Sequence, residues 1–211
     1  MKWKRIPKEK TQQPIKGKYS DWKPILAEEG FHQCVYCAIS EAQFGGSRNF
    51  HVEHYKPKAR PEYKHLINDI RNLFYACAIC NTFKGADWPS DPDAEFSKPA
   101  YPDPSSICYE ELFLREDCGV INGKYTAAKY MIEKLYLNRP QLILERRLAK
   151  VFSRIEELNA FFCCVMPLLK KKDIKKQVEY MERFSYLLLN VNNLLIKLRE
   201  IPPYADKDIR R

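Results

Sequence analysis

Two Cys-x-x-Cys pairs have the clearest metal-ligand spacing in this sequence. They are Cys34 with Cys37 and Cys77 with Cys80. Each pair places two thiolates on one tight turn, and two such turns complete a tetrahedral shell around Zn²⁺. Because four thiolates leave no open coordination position, the sequence predicts a structural zinc site. The 39 residues between Cys37 and Cys77 must then form a folded insert whose two ends are held together.

The insert carries side chains that suit the hydrolysis of phosphodiester bonds. Glu53 and His54 are adjacent, Asn72 precedes a leucine, and Asn81 directly follows the second cysteine pair. A histidine whose pKa is near neutral can take a proton from water. One divalent cation can stabilise the phosphoryl oxygens and the leaving group together. These residue types could therefore support proton transfer together with the binding of one divalent cation.

In this order around two cysteine pairs, these residues resemble the HNH, or ββα-metal, endonuclease superfamily. In that family an acid–His pair closes the first strand, an Asn-Leu follows, and a Cys-x-x-Cys-His/Asn-x-x-Lys element opens the helix. The resemblance covers about residues 31–88. It implies a small zinc-stabilised core of two strands and one helix.

The resemblance also implies a role for each residue. His54 would be the general base and Asn72 would orient its imidazole, while Glu53 and Asn81 would hold a catalytic Mg²⁺ or Mn²⁺. The sequence departs from the commonest pattern because the acid is Glu rather than Asp and the last His is replaced by Asn81. His51 lies two residues before Glu53, on the same side of a strand, and is a candidate for a further metal ligand.

Basic side chains near the predicted site are candidates for contacts with phosphate. Lys56, Lys58 and Arg60 follow the predicted base, and Lys84 lies one helical turn after Asn81. The net charge is +9, with basic residues concentrated in 1–24 and 118–211 and acidic residues in 87–117. This distribution favours a polyanionic partner such as nucleic acid. Of the two nucleic acids, DNA is expected rather than RNA. The alternative is that Lys84 and the other basic residues form an ordinary solvated surface.

The predicted fold class is α+β, mainly α, with a small zinc-stabilised ββα-metal core and a C-terminal helical bundle. The predicted regions are a basic arm with a short helix (1–30), the nuclease core (31–88), an irregular Pro- and acid-rich surface connection (89–118), a helical region (119–205) and a tail (206–211). Apolar residues at helical spacing predict two long helices, the second with Asp173 as its cap. The repeats are Leu144, Leu148, Val151, Ile155 and Leu158, and Met181, Phe184, Leu188, Val191, Leu195 and Leu198.

Composition also predicts where the protein is located. The sequence has no run of roughly 20 apolar residues, which a membrane span requires, and no apolar stretch after its basic first residues. We therefore expect a cytoplasmic protein with no membrane partner. Its eight cysteines are not expected to form disulfides in that compartment.

The segment Leu137-Asn138-Arg139-Pro140, leading into Leu142 and Arg146, supports a narrower resemblance. It is similar to bacterial HNH effectors of anti-phage systems, of the Septu or retron-associated type. That similarity implies an ATPase partner and a nuclease whose toxicity is restrained until infection. A restriction-type or mobile-element enzyme is the competing role. Two further alternatives are a zinc-containing module that binds nucleic acid without cutting it, and an interaction protein that acts through its helical half.

Overall fold

The computed structural model describes residues 1–165 and 174–198. Helices dominate and the sheets are small, so the predicted α+β, mainly α class is confirmed. The chain divides into two compact units: Met1–Glu116 with Val120–Leu142, and Asp117–Gly119 with the residues from Ile143 onward. The elements are α1 (Lys23–Glu29), β1 (Phe50–His54), β2 (Leu73–Cys77), α2 (Ala78–Lys84), β3 (Phe113–Arg115), β4 (Ile121–Gly123), α3 (Thr126–Lys134), α4 (Pro140–Val165) and α5 (Ile174–Leu198).

The centre of the first unit is a strand–strand–helix motif. Strands β1 and β2 pair antiparallel, with Glu53 opposite Phe74 and His54 opposite Leu73. Helix α2 begins at the residue after β2. All five residues of β2 are buried, whereas β1 has one exposed residue, His51. The start of α2 therefore lies beside the start of β1, and the helix runs back so that its last residue, Lys84, reaches the His54 carbonyl at the end of β1.

The basic N-terminal segment packs into the core of this unit. Trp3, Ile6 and Trp22 are buried, and the Trp3 indole donates a hydrogen bond of 3.0 Å to the Tyr36 carbonyl. The sequence prediction of an arm took account of its lysines and arginines only. Three large apolar side chains bury enough surface to dock the segment. Lys4, Arg5, Lys16 and Lys18 are exposed, whereas Lys8 is buried.

The predicted surface connection also differs from the structure. Residues 89–108 contain no regular helix or strand, as expected, but Tyr101 and Tyr109 are buried. Strand β3 then pairs antiparallel with β4. The prediction of a surface connection rested on the prolines and acidic residues. The aromatic residues among them are part of the core. The large area that a buried tyrosine removes from water explains why this segment is held in place.

The second unit contains α5 and nearly all of α4. Pro140, at the start of α4, suits the first turn of a helix because its missing N–H has no partner there. The rings of Phe161 and Phe162 contact Tyr180 and Phe184, respectively. Within the described residues, no helix combines the length and apolarity that a membrane crossing needs.

The apolar face predicted for α5 is only partly correct. Phe184 and Val191 are at least half-buried, but Met181, Leu188 and Leu195 are exposed. The covered face runs instead through residues 180, 184, 187, 191 and 194. Leucines lie on more than one face of α5, so the spacing of apolar residues alone does not define the covered face. This explains why the covered face differs from the predicted one. The predicted cap, Asp173, lies outside the described residues.

Candidate functional site

The four predicted zinc ligands form one buried cluster. Their Sγ atoms all lie within 4.8 Å of one another, and the Sγ atoms of Cys37 and Cys77 are 3.8 Å apart. A tetrahedral zinc site with Zn–S bonds of about 2.3 Å has sulfur–sulfur edges of about 3.8 Å. All four cysteines are free of disulfides. The cluster therefore has the donor set and the spacing of a structural zinc site.

Local backbone structure brings the two cysteine pairs together. The Cys34–Cys37 turn is closed by the Ala38 N–H, which donates to the Cys34 carbonyl at 2.9 Å. The Val35 N–H donates to the Tyr75 carbonyl at 2.9 Å and so attaches this turn to β2. Cys77 is the last residue of β2, and Cys80 lies in the first turn of α2. One strand thus holds both halves of the cluster.

Arg139 contacts the cluster through its guanidinium group. The side chain is buried, and its terminal nitrogens lie 3.6 Å from the Cys37 sulfur and 3.8 Å from the Cys80 sulfur. A zinc ion with four thiolates carries a net charge of about −2, which is costly to bury without a counter-charge. The guanidinium offsets part of this charge. The sequence carries no local pattern that predicts this contact, because Arg139 lies 59 and 102 residues from the two cysteines.

We expect Arg139→Met to release zinc faster than the unmodified chain. Groups that contact metal ligands typically change metal affinity by about 10–100-fold when they are removed. The measurement is the rate of zinc transfer to a coloured chelator in native buffer. Arg146→Met is the control, because Arg146 is also buried and donates instead to the Gly119 carbonyl. Equal rates for Arg139→Met and the unmodified chain would contradict the assignment.

Four other predicted site residues line a single cavity of about 200 Å³. They are Glu53 and His54 from the end of β1, Lys58 from the loop that follows, and Asn81 from α2. The alternation of side chains along a strand would send Glu53 and His54 to opposite faces. Both reach the cavity because β1 ends at His54, where the backbone bends. Gly85, which has a positive φ of 51°, ends α2 and lines the same cavity.

The hydrogen bonding of His54 defines which ring nitrogen is available. Its Nε2 lies 3.0 Å from the Ile67 carbonyl oxygen, which can only accept, so Nε2 carries the hydrogen. Burial lowers the pKa of His54 to about 4; Lys58 and Lys84 add to this effect, while the bond to Ile67 opposes it. The imidazole is therefore neutral at physiological pH. Its Nδ1 lone pair is left to accept a proton.

Asn72 does not orient His54, contrary to the role that the resemblance implied. Its Oδ1 accepts from the Lys56 N–H at 2.8 Å, and its Nδ2 donates to the Lys56 carbonyl at 3.1 Å. These two bonds fix the backbone directly after β1. The Ile67 carbonyl orients the imidazole instead. The motif predicted that Asn72 lies near the end of β1 but did not specify its hydrogen-bond partner.

Glu53 is buried and paired with a lysine. Its Oε1 lies 2.7 Å from the Lys84 Nζ and accepts from the Tyr36 hydroxyl at 3.2 Å. Burial raises the pKa of the Glu53 carboxyl, and Lys84 and Tyr36 oppose the rise. The Lys84 side chain has no exposed surface. The predicted contact of Lys84 with phosphate is therefore corrected: its ammonium is inside the protein, bound to Glu53.

Two further predicted residues lie away from the cavity. His51 is exposed on β1 and is not among the residues that line the cavity. The structure thus does not bring it together with Glu53 and Asn81. Lys56 is half-buried, with its Nζ 5.2 Å from the Tyr63 ring centroid and 3.4 Å from the Asp91 carboxylate. The Lys56 ammonium therefore contacts an aromatic ring and a carboxylate of the protein itself.

Lys58 and Arg60 are the predicted basic residues that remain near the surface. Lys58 is exposed, and its Nζ donates to the Tyr19 hydroxyl at 2.7 Å. Arg60 is half-buried and pairs with Glu62 at 3.8 Å. The Tyr19 ring also contacts His54 edge-on, with 4.7 Å between ring centroids. Sequence reasoning missed Tyr19 because the N-terminal segment was considered only for its charge.

Residues 34–87 match the family model described as HNH endonuclease. The matched range contains both cysteine pairs and every residue of the cavity lining. Neither the curated proteins nor the solved structures provide a significant match to the chain.

Proposed function

Starting from an HNH endonuclease domain at residues 34–87, we propose that this protein is a metal-dependent nuclease that hydrolyses phosphodiester bonds. The observation that carries the proposal is the cavity in which His54, Glu53, Asn81 and Lys58 meet. It combines a neutral proton acceptor, oxygen ligands for a cation and a positive charge for a phosphate. The four-cysteine cluster holds zinc in this proposal and has a structural role.

His54 is the general base. Its neutral imidazole is fixed through Nε2 by the Ile67 carbonyl, so Nδ1 takes the proton of the attacking water. A base must be deprotonated to act, and burial keeps His54 in that form at neutral pH. The edge contact with Tyr19 limits rotation of the ring.

Glu53 and Asn81 hold the catalytic divalent ion. One carboxylate and one amide supply oxygen donors, which suit Mg²⁺ or Mn²⁺ better than zinc. When bound, such an ion would neutralise charge on the phosphoryl oxygens and assist the leaving group. Within the described residues, the cysteine cluster is the only group of three or more His, Cys, Asp or Glu side chains with metal-binding spacing. A single catalytic ion with few protein ligands is consistent with this.

Lys58 is the residue proposed to contact the backbone of the nucleic acid. It is exposed, lines the cavity and is held by Tyr19. Arg60 extends this basic surface. Contacts of this type are independent of base sequence and are weakened by salt. DNA is the proposed substrate, on the basis of the superfamily resemblance.

A narrower part of the proposal is a role as an anti-phage effector with an ATPase partner. It rests on the resemblance of Leu137-Asn138-Arg139-Pro140, which leads into Leu142 and Arg146, downstream of residues 53–58. Two of these residues have structural roles: Asn138 bonds to the backbone of Ile121 at 2.9 Å and 2.8 Å, and Arg139 contacts the cysteine sulfurs. The corresponding test is whether the chain, expressed together with a candidate ATPase partner, protects bacteria against phage, and whether His54→Ala removes that protection.

We expect the purified chain to cut plasmid DNA with Mn²⁺ or Mg²⁺, and to stop cutting in mild EDTA without unfolding. Glu53→Gln removes the only anionic ligand and should lower the rate at least about 100-fold, because metal stabilisation of charge is worth several kcal/mol. The measurement is plasmid nicking over a range of ion concentrations. Asn81→His should retain activity with a shifted metal preference.

Glu29→Gln is the matched control for Glu53→Gln. Glu29 pairs with Lys8, another buried lysine, and does not line the cavity. This variant should lose stability but keep ion-dependent cleavage. Binding of nucleic acid without cleavage at any ion concentration would support the non-catalytic binding module instead.

A further inference from the structure

Lys84 is a fully buried lysine at the end of α2, beside a predicted metal ligand. Its ammonium lies 2.7 Å from the Glu53 Oε1 and donates to the His54 carbonyl at 2.9 Å. The ring of Tyr101 packs 5.5 Å from it. Lysines are almost never fully buried unless they are paired, because removing the charge from water is costly. The Lys84 ammonium thus contacts both the backbone carbonyl of His54, the proposed base, and the carboxylate of Glu53, the proposed metal ligand.

The two oxygens of Glu53 have different environments. Lys84 and the Tyr36 hydroxyl both contact Oε1. Among the described residues, Oε2 has no hydrogen-bond partner, and Glu53 lines the cavity with Asn81. The carboxylate is therefore fixed through one oxygen, and the other is available to a cation in the cavity.

We infer that Lys84 is a positioning residue: it is a built-in counter-cation that holds Glu53 in place before a divalent ion is present and weakens the binding of that ion. This inference rests on the proposed function, since it assumes that Glu53 binds the ion. A divalent ion on Oε2 lies close enough to the ammonium for strong repulsion, because both share one carboxylate charge. Lys58 adds a further positive charge at the same cavity. The ion then binds weakly to the free protein, and the phosphate of the nucleic acid supplies the missing negative charge.

The test uses Lys84→Met in the intact chain, because methionine replaces the buried stem without the charge. Mn²⁺ binding is measured in the absence of nucleic acid by the electron paramagnetic resonance signal of free Mn²⁺. We expect Lys84→Met to bind Mn²⁺ at least about tenfold more tightly than the unmodified chain. Its thermal midpoint should be lower without added ions, since Glu53 is then a buried charge without its ion-pair partner, and Mn²⁺ should raise it more than in the unmodified chain.

Lys8→Met is the matched control. Lys8 is also a buried lysine, it pairs with Glu29, and its ammonium lies 4.7 Å from the Phe74 ring centroid. It does not line the cavity. This variant should be destabilised to a similar degree, but without tighter Mn²⁺ binding and without recovery on adding Mn²⁺. Zinc content, measured for each variant, confirms that the cysteine cluster is intact.

Two results would overturn the inference. One is Mn²⁺ affinity in Lys84→Met equal to or weaker than in the unmodified chain; the other is equal recovery by Mn²⁺ in Lys84→Met and Lys8→Met. If Lys84→Met does not fold, Lys84→Gln and Lys84→Arg provide the same comparison, because glutamine removes the charge and arginine keeps it. The binding readout is independent of cleavage. If the unmodified chain cuts DNA but the affinity does not rise, this inference alone fails; if the affinity rises but no nucleic acid is cut, the proposed function alone fails.

Discussion

His54→Ala should lower the cleavage rate by about 10²–10⁴-fold, the range that general bases contribute. In the proposed mechanism the imidazole accepts a proton in the transition state but makes few contacts with the bound substrate. Its loss should therefore leave the affinity for nucleic acid nearly unchanged. Single-turnover cleavage of a labelled duplex gives the rate, and fluorescence anisotropy with the same duplex in Ca²⁺ gives the affinity.

His65→Ala is the control for this experiment. His65 is exposed and lies outside the cavity lining, so its removal tests whether losing any histidine near the site affects the rate. It should cut at the normal rate. Cleavage by His54→Ala within a factor of a few of the unmodified chain would mean that another group is the base. A large loss of affinity would instead indicate that His54 has a role in binding.

Local spacing was sufficient to predict the metal cluster, whereas the centre of the candidate site was predicted from the family resemblance. The two Cys-x-x-Cys pairs require only tight turns, and the residues between them must bring the pairs together. Glu53, His54 and Asn81 could be placed because the family pattern fixes them relative to the ends of β1 and α2. The fold class followed from the helical periodicity of the second half of the chain.

Contacts between segments far apart in the sequence could not be predicted in this way. Arg139 reaches cysteines more than 50 residues away, and Tyr19 reaches His54 from the N-terminal segment. Neither contact leaves a periodic or spaced signal in the sequence. The burial of Lys84 was missed for a related reason: a lysine at the end of a short helix is ordinarily solvated, and its pairing depends on where β1 places Glu53.

The cysteine cluster and the cavity share the same structural elements. Strand β2 ends in Cys77 and pairs with β1, which carries Glu53 and His54. Helix α2 contains both Cys80 and Asn81. Because adjacent residues of one helix turn belong to the two sites, the position of the cavity residues depends on the cluster. Loss of zinc should therefore unfold the region around the cavity rather than affect activity alone.

We accordingly expect Cys77→Ser to give unfolded or insoluble protein rather than a folded, inactive one. Structural zinc contributes on the order of 10 kcal/mol in zinc-finger peptides at neutral pH, which is comparable to the whole stability of a typical domain. A serine hydroxyl in place of the Cys77 thiolate removes an anionic ligand and breaks the tetrahedral set. Metal analysis should find about one zinc per chain in the unmodified protein, and circular dichroism should show the loss of structure in the variant.

Cys163→Ser is the control for this substitution, since Cys163 is exposed on α4 and belongs to no metal cluster within the described residues. It should fold normally and keep its full zinc content. A folded Cys77→Ser variant without zinc would show that the core is stable without the metal. In that case the pairing of β1 with β2 and the buried aromatic residues would be sufficient to position the cavity, and the cluster would serve another purpose. A well-folded unmodified chain with no zinc would contradict the cluster assignment directly.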